Sequence, residues 1–198
     1  MGLLDVLGGG APPGMRRPVF EVAFAGGGGG GLGGLAAAAG SLLGGGGGDP
    51  WSQSLVSVTV ECGLAPSVDT AEIVVAPGPD APSVAVGDEG TVKLGYEDDA
   101  AELVFTGKVE SVRTRIGGPT RIVASNGGAA LARLRVNAAY DGEAAGGVVG
   151  DLAGRAEVDT DSVEDGIQLA YFVVDDRTSA WGHVARLARA SGHLAYFT

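Results

Sequence analysis

The fold class follows from an alternating segment, SLVSVTVEC, at residues 54–62. Its apolar side chains share one face of an extended chain and its polar side chains share the other: Val56, Val58, Val60 and Cys62 against Ser57, Thr59 and Glu61. Successive side chains of a β-strand point to opposite faces of the sheet. This period of two therefore predicts a strand that is buried on one face only.

Further strands are expected on both sides of this segment, each bounded by turn residues. They cover Val19–Phe24, Ala71–Val75, Thr91–Tyr96, Glu102–Thr114 and Thr120–Ser125. Pro77-Gly78-Pro79-Asp80 and Gly117-Gly118-Pro119 are strong turn signals, and Gly107 predicts a bend or bulge within the longest strand. Short strands separated by frequent turns are typical of an antiparallel barrel or sandwich.

Beyond Ser125 the pattern changes to alternating helices and strands. In order, it predicts a short helix at Ala129–Val136, a helix at Val148–Ala156, a buried strand at Ile167–Val174, a helix around Trp181 and a strand that begins at His193. Thr178 or Asp176 is expected to cap the helix around Trp181, and Gly192 is expected to end it.

These patterns predict a mainly β (α+β) fold. We expect an N-terminal arm at residues 1–17, an antiparallel β-barrel at residues 18–137 and a small α/β domain at residues 138–198. The last strand of the α/β domain has only begun when the sequence reaches Thr198. We therefore expect this domain to be incomplete here and its last strand to offer an unpaired edge.

Glycine is the main anomaly of the composition, with 37 residues among 198. Fourteen of them lie within residues 26–48, a low-complexity insertion between the first two strands. The insertion contains a formal G-x-G-x-x-G at Gly29, Gly31 and Gly34, but the helical segment that follows is too short for a dinucleotide site. Its glycines also dilute the leucines that a membrane helix needs. We therefore predict a flexible loop, without nucleotide binding or membrane insertion.

The charge balance excludes one class of partner. The formal net charge is −11, from 13 Lys plus Arg against 24 Asp plus Glu. A surface this acidic repels phosphate backbones, so no nucleic-acid partner is expected. Arg16-Arg17 has the form of a twin-arginine export signal, but Pro18 follows it and Glu21 interrupts the apolar segment, so we do not expect it to act as one.

The reactive side chains form no catalytic or metal-binding pattern. Cys62, the single cysteine, lies in an apolar alternating run and is predicted to be a small buried residue in a reducing compartment. The acidic run at residues 159–165 has no glycine at the sixth position that a calcium loop requires, so a solvated loop is expected. His183 and His193 are separated by a predicted helix end and are not expected to converge on a metal. We predict no catalytic residue, cofactor or metal ligand.

Two ordered blocks of sequence resemble one family. The first combines Val86-Gly87-Asp88, Val92-Lys93-Leu94-Gly95-Tyr96 and Val104-Phe105-Thr106-Gly107-Lys108-Val109. The second runs from Asp175-Asp176 through Trp181 to Leu187-Ala188 and Ser191-Gly192. In this order and at this spacing, the blocks resemble the late control protein D family of contractile tails. These are baseplate hub proteins, also found as the N-terminal part of the spike protein in type VI secretion, and the resemblance covers about residues 54–198.

The resemblance implies a fold and a role. The fold is a β-barrel like that of tail-tube subunits, with an α/β domain beside it. The role is that of a structural baseplate hub, in which three copies form a ring that joins the tail tube to the central spike. The implied partners are further copies of the chain (a trimer), tail tube subunits, the spike protein and other baseplate components. The implied location is the cytoplasm, with assembly into a phage tail or an injection particle. Family members carry a second barrel, whereas the matched residues supply one.

Two other functions remain open at this point. A β domain of this size can serve as a ligand- or carbohydrate-binding module. A hydrolase site can also be assembled from His183 and Asp176 without a recognisable motif. Because none of the usual catalytic patterns is present, an enzyme is the less expected of the two.

Shortening the glycine-rich insertion tests its interpretation as a tolerated loop. Removal of residues 28–46 is expected to leave the sheet folded, because the entropic cost of closing a flexible loop depends only weakly on the length of the loop. Circular dichroism and thermal unfolding of the shortened chain measure this. Loss of the cooperative transition would show that the insertion is part of the folded core.

Overall fold

The computed structural model of the chain describes residues 16–25, 50–79, 81–97 and 99–197. Most of the expected N-terminal arm and the whole glycine-rich insertion at residues 26–48 lie outside the described residues.

Strands dominate the first part of the described chain, and helices and strands alternate in the rest. The strands are β1 (Pro18–Phe24), β2 (Leu55–Glu61), β3 (Thr70–Val75), β4 (Glu89–Tyr96), β5 (Glu102–Thr114), β6 (Thr120–Ser125), β7 (Ala138–Ala144) and β8 (Gln168–Val174). The helices are α1 (Pro50–Ser54), α2 (Gly128–Arg133), α3 (Ala145–Arg155) and α4 (Ala180–Ser191).

Six strands form one antiparallel sheet in the order β1-β4-β5-β6-β3-β2, and β7 and β8 form a separate antiparallel pair. The prediction of a mainly antiparallel β fold with a few helices is confirmed. The large sheet curls into a half-barrel, with β1 and β2 as its two edges.

The inner face of the half-barrel carries the first hydrophobic core. Alternate residues of the central strands are buried there, as the period of two requires. The buried members are Val22, Trp51, Ala71, Ile73, Val75, Val92, Phe105, Val109, Ile122 and Ala124. The indole of Trp51 comes from α1, a helix that the sequence did not predict, and packs against Phe24 with ring centroids 5.8 Å apart.

A bulge in β2 changes the faces predicted for the alternating segment. The register with β3 shifts between Leu55 and Ser57, so that Val56 turns outward while Val58 remains half-buried. Cys62 lies beyond the end of the strand and is exposed. The prediction that Val56 and Cys62 face the core was therefore wrong: the extra residue at the bulge inverts the face of Val56, and Cys62 lies past the last residue of β2.

Gly107 is not a bulge, in contrast to its prediction. It pairs regularly with Gly90, and the register shifts of β5 lie on either side of it. A Cβ at Gly107 would lie 2.4 Å from the carbonyl oxygen of Ser125. Glycine is needed here because two backbones approach closely, not because the strand bends.

The second core lies where α2, α3 and α4 meet the β7–β8 pair. Its buried members are Leu131, Ala145, Val148, Leu152, Val174, Ala180, Trp181, Val184 and Leu187. Leu131 precedes the expected domain boundary at residue 137, and that boundary remains a prediction.

Several details of this second unit differ from the sequence-based expectations. β7 was not predicted, because AAYDGEA carries no regular apolar alternation. The predicted strand at Ile167–Val174 exists as β8, but only Val174 of its residues is buried. The N-cap of α4 is Ser179, whose Oγ accepts from Gly182 N (3.1 Å), rather than Thr178 or Asp176. Gly192 ends α4 with a φ of 72°, as predicted.

The predicted strand at His193 does not form within the described residues. Residues 193–197 are irregular, and the Phe197 ring packs against Trp181 with centroids 5.2 Å apart. The expected unpaired edge at this place was therefore wrong, because the aromatic contact draws the segment onto the core instead of into a sheet.

A buried polar pair joins the half-barrel to the second unit. Asn126, which follows β6, donates from Nδ2 to Asp69 Oδ2 (2.8 Å) and from its main-chain N to Asp69 O (3.2 Å). Asp69 Oδ1 accepts from Gly63 N (2.7 Å), and Asn126 Oδ1 accepts from Gly128 N at the start of α2 (3.0 Å). Both side chains are buried, and their polar atoms bond to each other or to main-chain groups around them.

Removal of either member of this pair is expected to destabilise the chain. Asn126→Ala leaves a buried carboxylate oxygen without its donor, which costs about 2–3 kcal/mol, and Asp69→Ala costs a similar amount. The double variant should lose less than the sum of the two, because the groups act on each other. Denaturant unfolding of the four proteins measures the coupling.

Asp99→Ala serves as the control, because Asp99 lies in an exposed ion pair with Arg16 (2.6 Å). That variant should lose at most about 1 kcal/mol. Additive effects of Asp69→Ala and Asn126→Ala would contradict the interpretation of the pair as a coupled joint.

Candidate functional site

The thiol of Cys62 is placed for packing against the backbone rather than for chemistry. Its Sγ donates weakly to Val104 O at 3.7 Å. Desolvation, followed by the nearby charge of Asp69, raises the pKa of the Cys62 thiol above its ordinary value. A thiol held in its protonated form is a poor nucleophile.

The two histidines lie in different environments and do not converge. His183 is buried in α4, with Nε2 3.0 Å from Asp175 O, and its Nδ1 has no hydrogen-bond partner. His193 lies 3.4 Å from the carboxylate of Glu164. The hypothetical pairing of His183 with Asp176 is not formed, since the imidazole contacts the main chain of Asp175.

The described residues contain no group of three or more His, Cys, Asp or Glu that could hold a metal ion. The acidic run at residues 159–165 is exposed throughout its charged positions. Gly29, Gly31 and Gly34 of the formal dinucleotide motif lie outside the described residues. None of the helices in the described part of the chain has the length and apolar character that a bilayer crossing requires.

Surfaces are the first candidates for function, and one of them is the edge of β2, which pairs with no further strand in the described part of the chain. The main-chain groups of even-numbered residues of β3 point toward β2, since Ala76 N donates to Ser54 O (2.7 Å). Those of odd-numbered residues point toward β6, since Asp69 O accepts from Asn126 N. Their β2 partners are Ser57, Thr59 and Glu61. Because main-chain groups of successive residues point to opposite sides of a strand, those of Val58 and Val60 point out from the edge.

The opposite edge, β1, is partly protected. Ala25 N donates to Glu89 O (2.9 Å), so that the odd-numbered residues of β1 bond to β4 and the even-numbered residues point outward. One of these outward residues is Pro18, which has no N–H, and prolines commonly protect sheet edges. β2 contains no proline or lysine and is the more open edge for pairing with another chain.

Exposed ion pairs cover the polar face of the sheet. Lys93 pairs with Glu21 (3.0 Å), Lys108 pairs with Glu89 (3.0 Å) and Arg121 pairs with Glu72. Each joins neighbouring strands, and each contributes at most about 1 kcal/mol because it is exposed to solvent. These pairs occupy cationic side chains, which are fewer than the acidic side chains in this protein.

The β5–β6 hairpin ends in a basic tip, here named the arginine tip (residues 113–116). Arg113 lies directly opposite Arg121 in the register, and Arg115 follows on the exposed turn. Within the described residues, neither Arg113 nor Arg115 belongs to an ion pair. Ile116, at the end of the tip, is fully exposed.

A cavity of about 890 Å³ opens in the second unit, here named the acidic cavity. Apolar side chains of α3 and α4 and the segments that follow them form its walls, among them Val149, Val158 and Leu187. Asp159, Asp161 and Glu164 lie at its rim. The sequence-based interpretation missed both surfaces, although the absence of acidic residues from positions 111–125 is a readable signal for the tip.

A polar contact joins β7 to α3, the helix that contributes Val149 to the cavity lining. Tyr140 OH donates to Asp151 Oδ2 (2.5 Å), and Arg155 Nε donates to the same oxygen (2.8 Å). Desolvation and the contact with Asp151 raise the pKa of Tyr140 to about 12. The hydrogen bond from Tyr140 lowers the pKa of Asp151.

Comparisons with known proteins give similarity at the level of the fold. The sequence matches no protein-family model, and no curated protein is significantly similar to it. One similar solved structure is a 43 kDa tail protein of prophage MuSo2 from Shewanella oneidensis (14% identity, TM-score 0.48, 70% of this chain and 53% of that chain). Another is a tail protein from Neisseria meningitidis MC58 (12% identity, TM-score 0.44, 70% and 50%).

A third similar structure is the E. coli c3393 protein (13% identity, TM-score 0.44, 67% and 40%). It is described as a component of the type VI secretion system with structural similarity to the T4 bacteriophage tail proteins gp27 and gp5. This chain spans about half of the length of these three proteins or less.

The raised pKa of Tyr140 predicts a loss of stability at alkaline pH. The unfolded tyrosine ionises near pH 10, whereas the folded one keeps its proton to about 12. The unfolded state therefore holds fewer protons in this window, and stability falls as the pH rises from about 10 to 12. Tyr140→Phe should remove this contribution and cost about 1 kcal/mol at neutral pH.

Denaturant unfolding at a series of pH values, compared between Tyr140→Phe and the unmodified chain, measures the effect. Tyr171→Phe is the matched control, because it removes an exposed hydroxyl from the neighbouring strand. Parallel stability curves for Tyr140→Phe and the unmodified chain above pH 10 would contradict the prediction.

Proposed function

We propose that this chain is a structural protein of a phage tail or contractile injection apparatus, and more narrowly a baseplate hub that joins the tail tube to the central spike. The observation that carries the proposal is the ordered pair of sequence blocks that resemble the hub family. Each block falls on a different unit of the fold, and each has a physical reason for its residue types.

The first block builds the turn that leads into β4 and bonds this end of β4 to β5. Gly87 takes a φ of 94° and donates from N to Val109 O (2.8 Å), while Val109 N donates to Asp88 O (2.9 Å). The Asp88 carboxylate accepts from Ala85 N (2.8 Å) and closes the preceding turn. Glycine, aspartate and valine at this spacing are therefore requirements of the sheet.

The second block caps α4 and attaches it to the half-barrel. Asp175 Oδ1 accepts from Arg177 N (3.0 Å) ahead of the helix. Trp181 is buried and donates from Nε1 to Ser67 O (2.8 Å), in the loop between β2 and β3. Two blocks that build and join two units support a hub-like fold, in which the relative placement of the units matters for assembly.

The function is exerted through surfaces, and the free edge of β2 supports assembly into a ring. A strand with outward main-chain donors and acceptors can add to a strand of another subunit. We propose that three copies form a ring by this means and contact tail tube subunits, the spike protein and other baseplate components. The α/β unit at residues 138–198 acts as a separate domain of the hub, and the chain has a structural rather than an enzymatic role in the assembled particle.

A pair of proline variants one residue apart tests the edge in assembly. Val58→Pro removes an N–H that points out from β2, so it should leave the sheet folded and reduce ring formation at least about tenfold. Thr59→Pro removes an N–H that bonds to β3, so it should destabilise the sheet itself by about 3 kcal/mol. Thermal unfolding and native mass spectrometry separate the two effects.

The proposed function is tested by purification of the tagged chain from its own host. Tube and spike proteins should purify with it, and negative-stain images should show tail or injection particles that contain it. A strictly monomeric chain that purifies without particles and binds no tube subunit would overturn the proposal. Equal assembly of Val58→Pro and the unmodified chain would overturn only the part assigned to the β2 edge.

A further inference from the structure

The arginine tip and the acidic cavity lie toward opposite ends of β6. β6 begins at Thr120 beside the tip and runs to Ser125, and α2, which follows it, contributes Leu131 to the cavity wall. Six residues of extended chain span about 20 Å. One copy therefore cannot bring its own tip into its own cavity without unfolding the sheet between them.

We propose that the arginine tip of one copy docks into the acidic cavity of a second copy. The contact is head-to-tail, and it uses the ends of the strands rather than the edge of β2. The inference rests on the proposed self-assembly of the chain, but the surface is separate from the one assigned to ring formation, so each can fail without the other.

The two surfaces are opposite in charge within an otherwise acidic molecule. Residues 111–125 contain three arginines and no Asp or Glu, whereas residues 157–165 contain five acidic residues and no Lys or Arg. In the described residues, most other cations already pair within the chain, whereas Arg113 and Arg115 have no carboxylate partner. Their charges are available to a second molecule, and complementary charges fix partner and orientation.

The two surfaces are also complementary in shape and polarity. Ile116 projects from the tip as a fully exposed apolar side chain. The cavity of about 890 Å³ is lined by half-buried apolar side chains, among them Val149 and Val158, together with the carboxylates of Asp159 and Asp161. An apolar tip flanked by arginines matches an apolar pocket rimmed by carboxylates.

Ionic strength decides whether this local attraction prevails over the repulsion between two molecules of net charge −11. At physiological salt, the screening length is about 8 Å, which weakens the repulsion between distant charges more than the attraction between groups in contact. Head-to-tail contacts of this kind join different surfaces of the two copies, and they produce a closed ring or an extended chain of molecules.

A charge-swap experiment on the full chain tests the contact. The tip variant carries Arg113→Glu and Arg115→Glu, and the cavity variant carries Asp159→Arg and Asp161→Arg. In either variant alone, the reversed side chains face side chains of the same charge on the other surface, so self-association should weaken at least about tenfold. In an equimolar mixture, the reversed side chains of one variant face those of the other with opposite charge, and association should return to within about threefold of the unmodified chain.

Analytical ultracentrifugation over a concentration series measures the association of each protein and of the mixture. Lys93→Glu with Lys108→Glu is the matched control for the tip variant, because it makes the same change in net charge on another face of the sheet. That control should associate as the unmodified chain does. Thermal unfolding verifies the fold of each variant. Should a reversed variant not fold, the neutral pairs Arg113→Gln with Arg115→Gln and Asp159→Asn with Asp161→Asn are used, and both should weaken association.

Three results would overturn the contact: an unmodified chain that stays monomeric at all concentrations, folded variants that associate normally, or a mixture of variants that fails to recover. Incorporation into particles separates this inference from the proposed function. Tip and cavity variants that enter tail particles as readily as the unmodified chain would overturn the contact and leave the function intact. Restored association in the mixture, without any particles, would support the contact and overturn the proposed function.

Discussion

The buried pair of Asp69 and Asn126 is the interaction on which the arrangement of the chain depends. It lies where the loop before β3 meets the residue after β6, so it joins two neighbouring strands at the end of the half-barrel. The same asparagine accepts from the first residue of α2. A buried carboxylate without hydrogen-bond donors destabilises the folded state by several kcal/mol. Here all of its partners come from chain segments at the joint. The position of the second unit relative to the sheet follows from this requirement, with Trp181 bonding to the same loop.

The residues that give this sequence its distinctive blocks serve mainly to build the fold. Gly87 and Asp88 form a turn, Gly107 lets β5 approach β6, and Ser179 and Gly192 delimit α4. Because these roles are structural, a resemblance carried by such residues is evidence for the fold before it is evidence for a function. The features that favour assembly are the outward main chain of β2, the arginine tip and the acidic cavity. They are surface features, and apart from members of the cavity lining such as Leu187 their residues belong to neither block.

Prediction from the sequence succeeded where local pattern and tertiary structure agree. The bounds of β5 and β6 were predicted correctly, since each alternates and ends at a turn signal. β7 escaped prediction because its strand conformation comes from pairing with β8 rather than from its own residues. The segment after Gly192 was predicted to be a strand from its apolar residues, but the Phe197 ring satisfies them by contact with Trp181. In the site, the position of Cys62 depended on where β2 ends and that of His183 on a main-chain carbonyl, neither of which leaves a sequence pattern.

The sequence by itself determined the antiparallel strands, their turns, the capping glycine of α4 and the acidic character of the surface. These properties depend on side-chain alternation, on backbone freedom and on composition, all of which are local. Only the tertiary structure decided that β1 and β2 are the edges of the sheet in the described part of the chain, that Arg113 and Arg115 have no ion-pair partner there while most other cations do, and that a cavity is lined by residues of the acidic run. Each of these depends on which distant segments come into contact, and that is set by burial and hydrogen bonding across the whole fold rather than by any one stretch of residues.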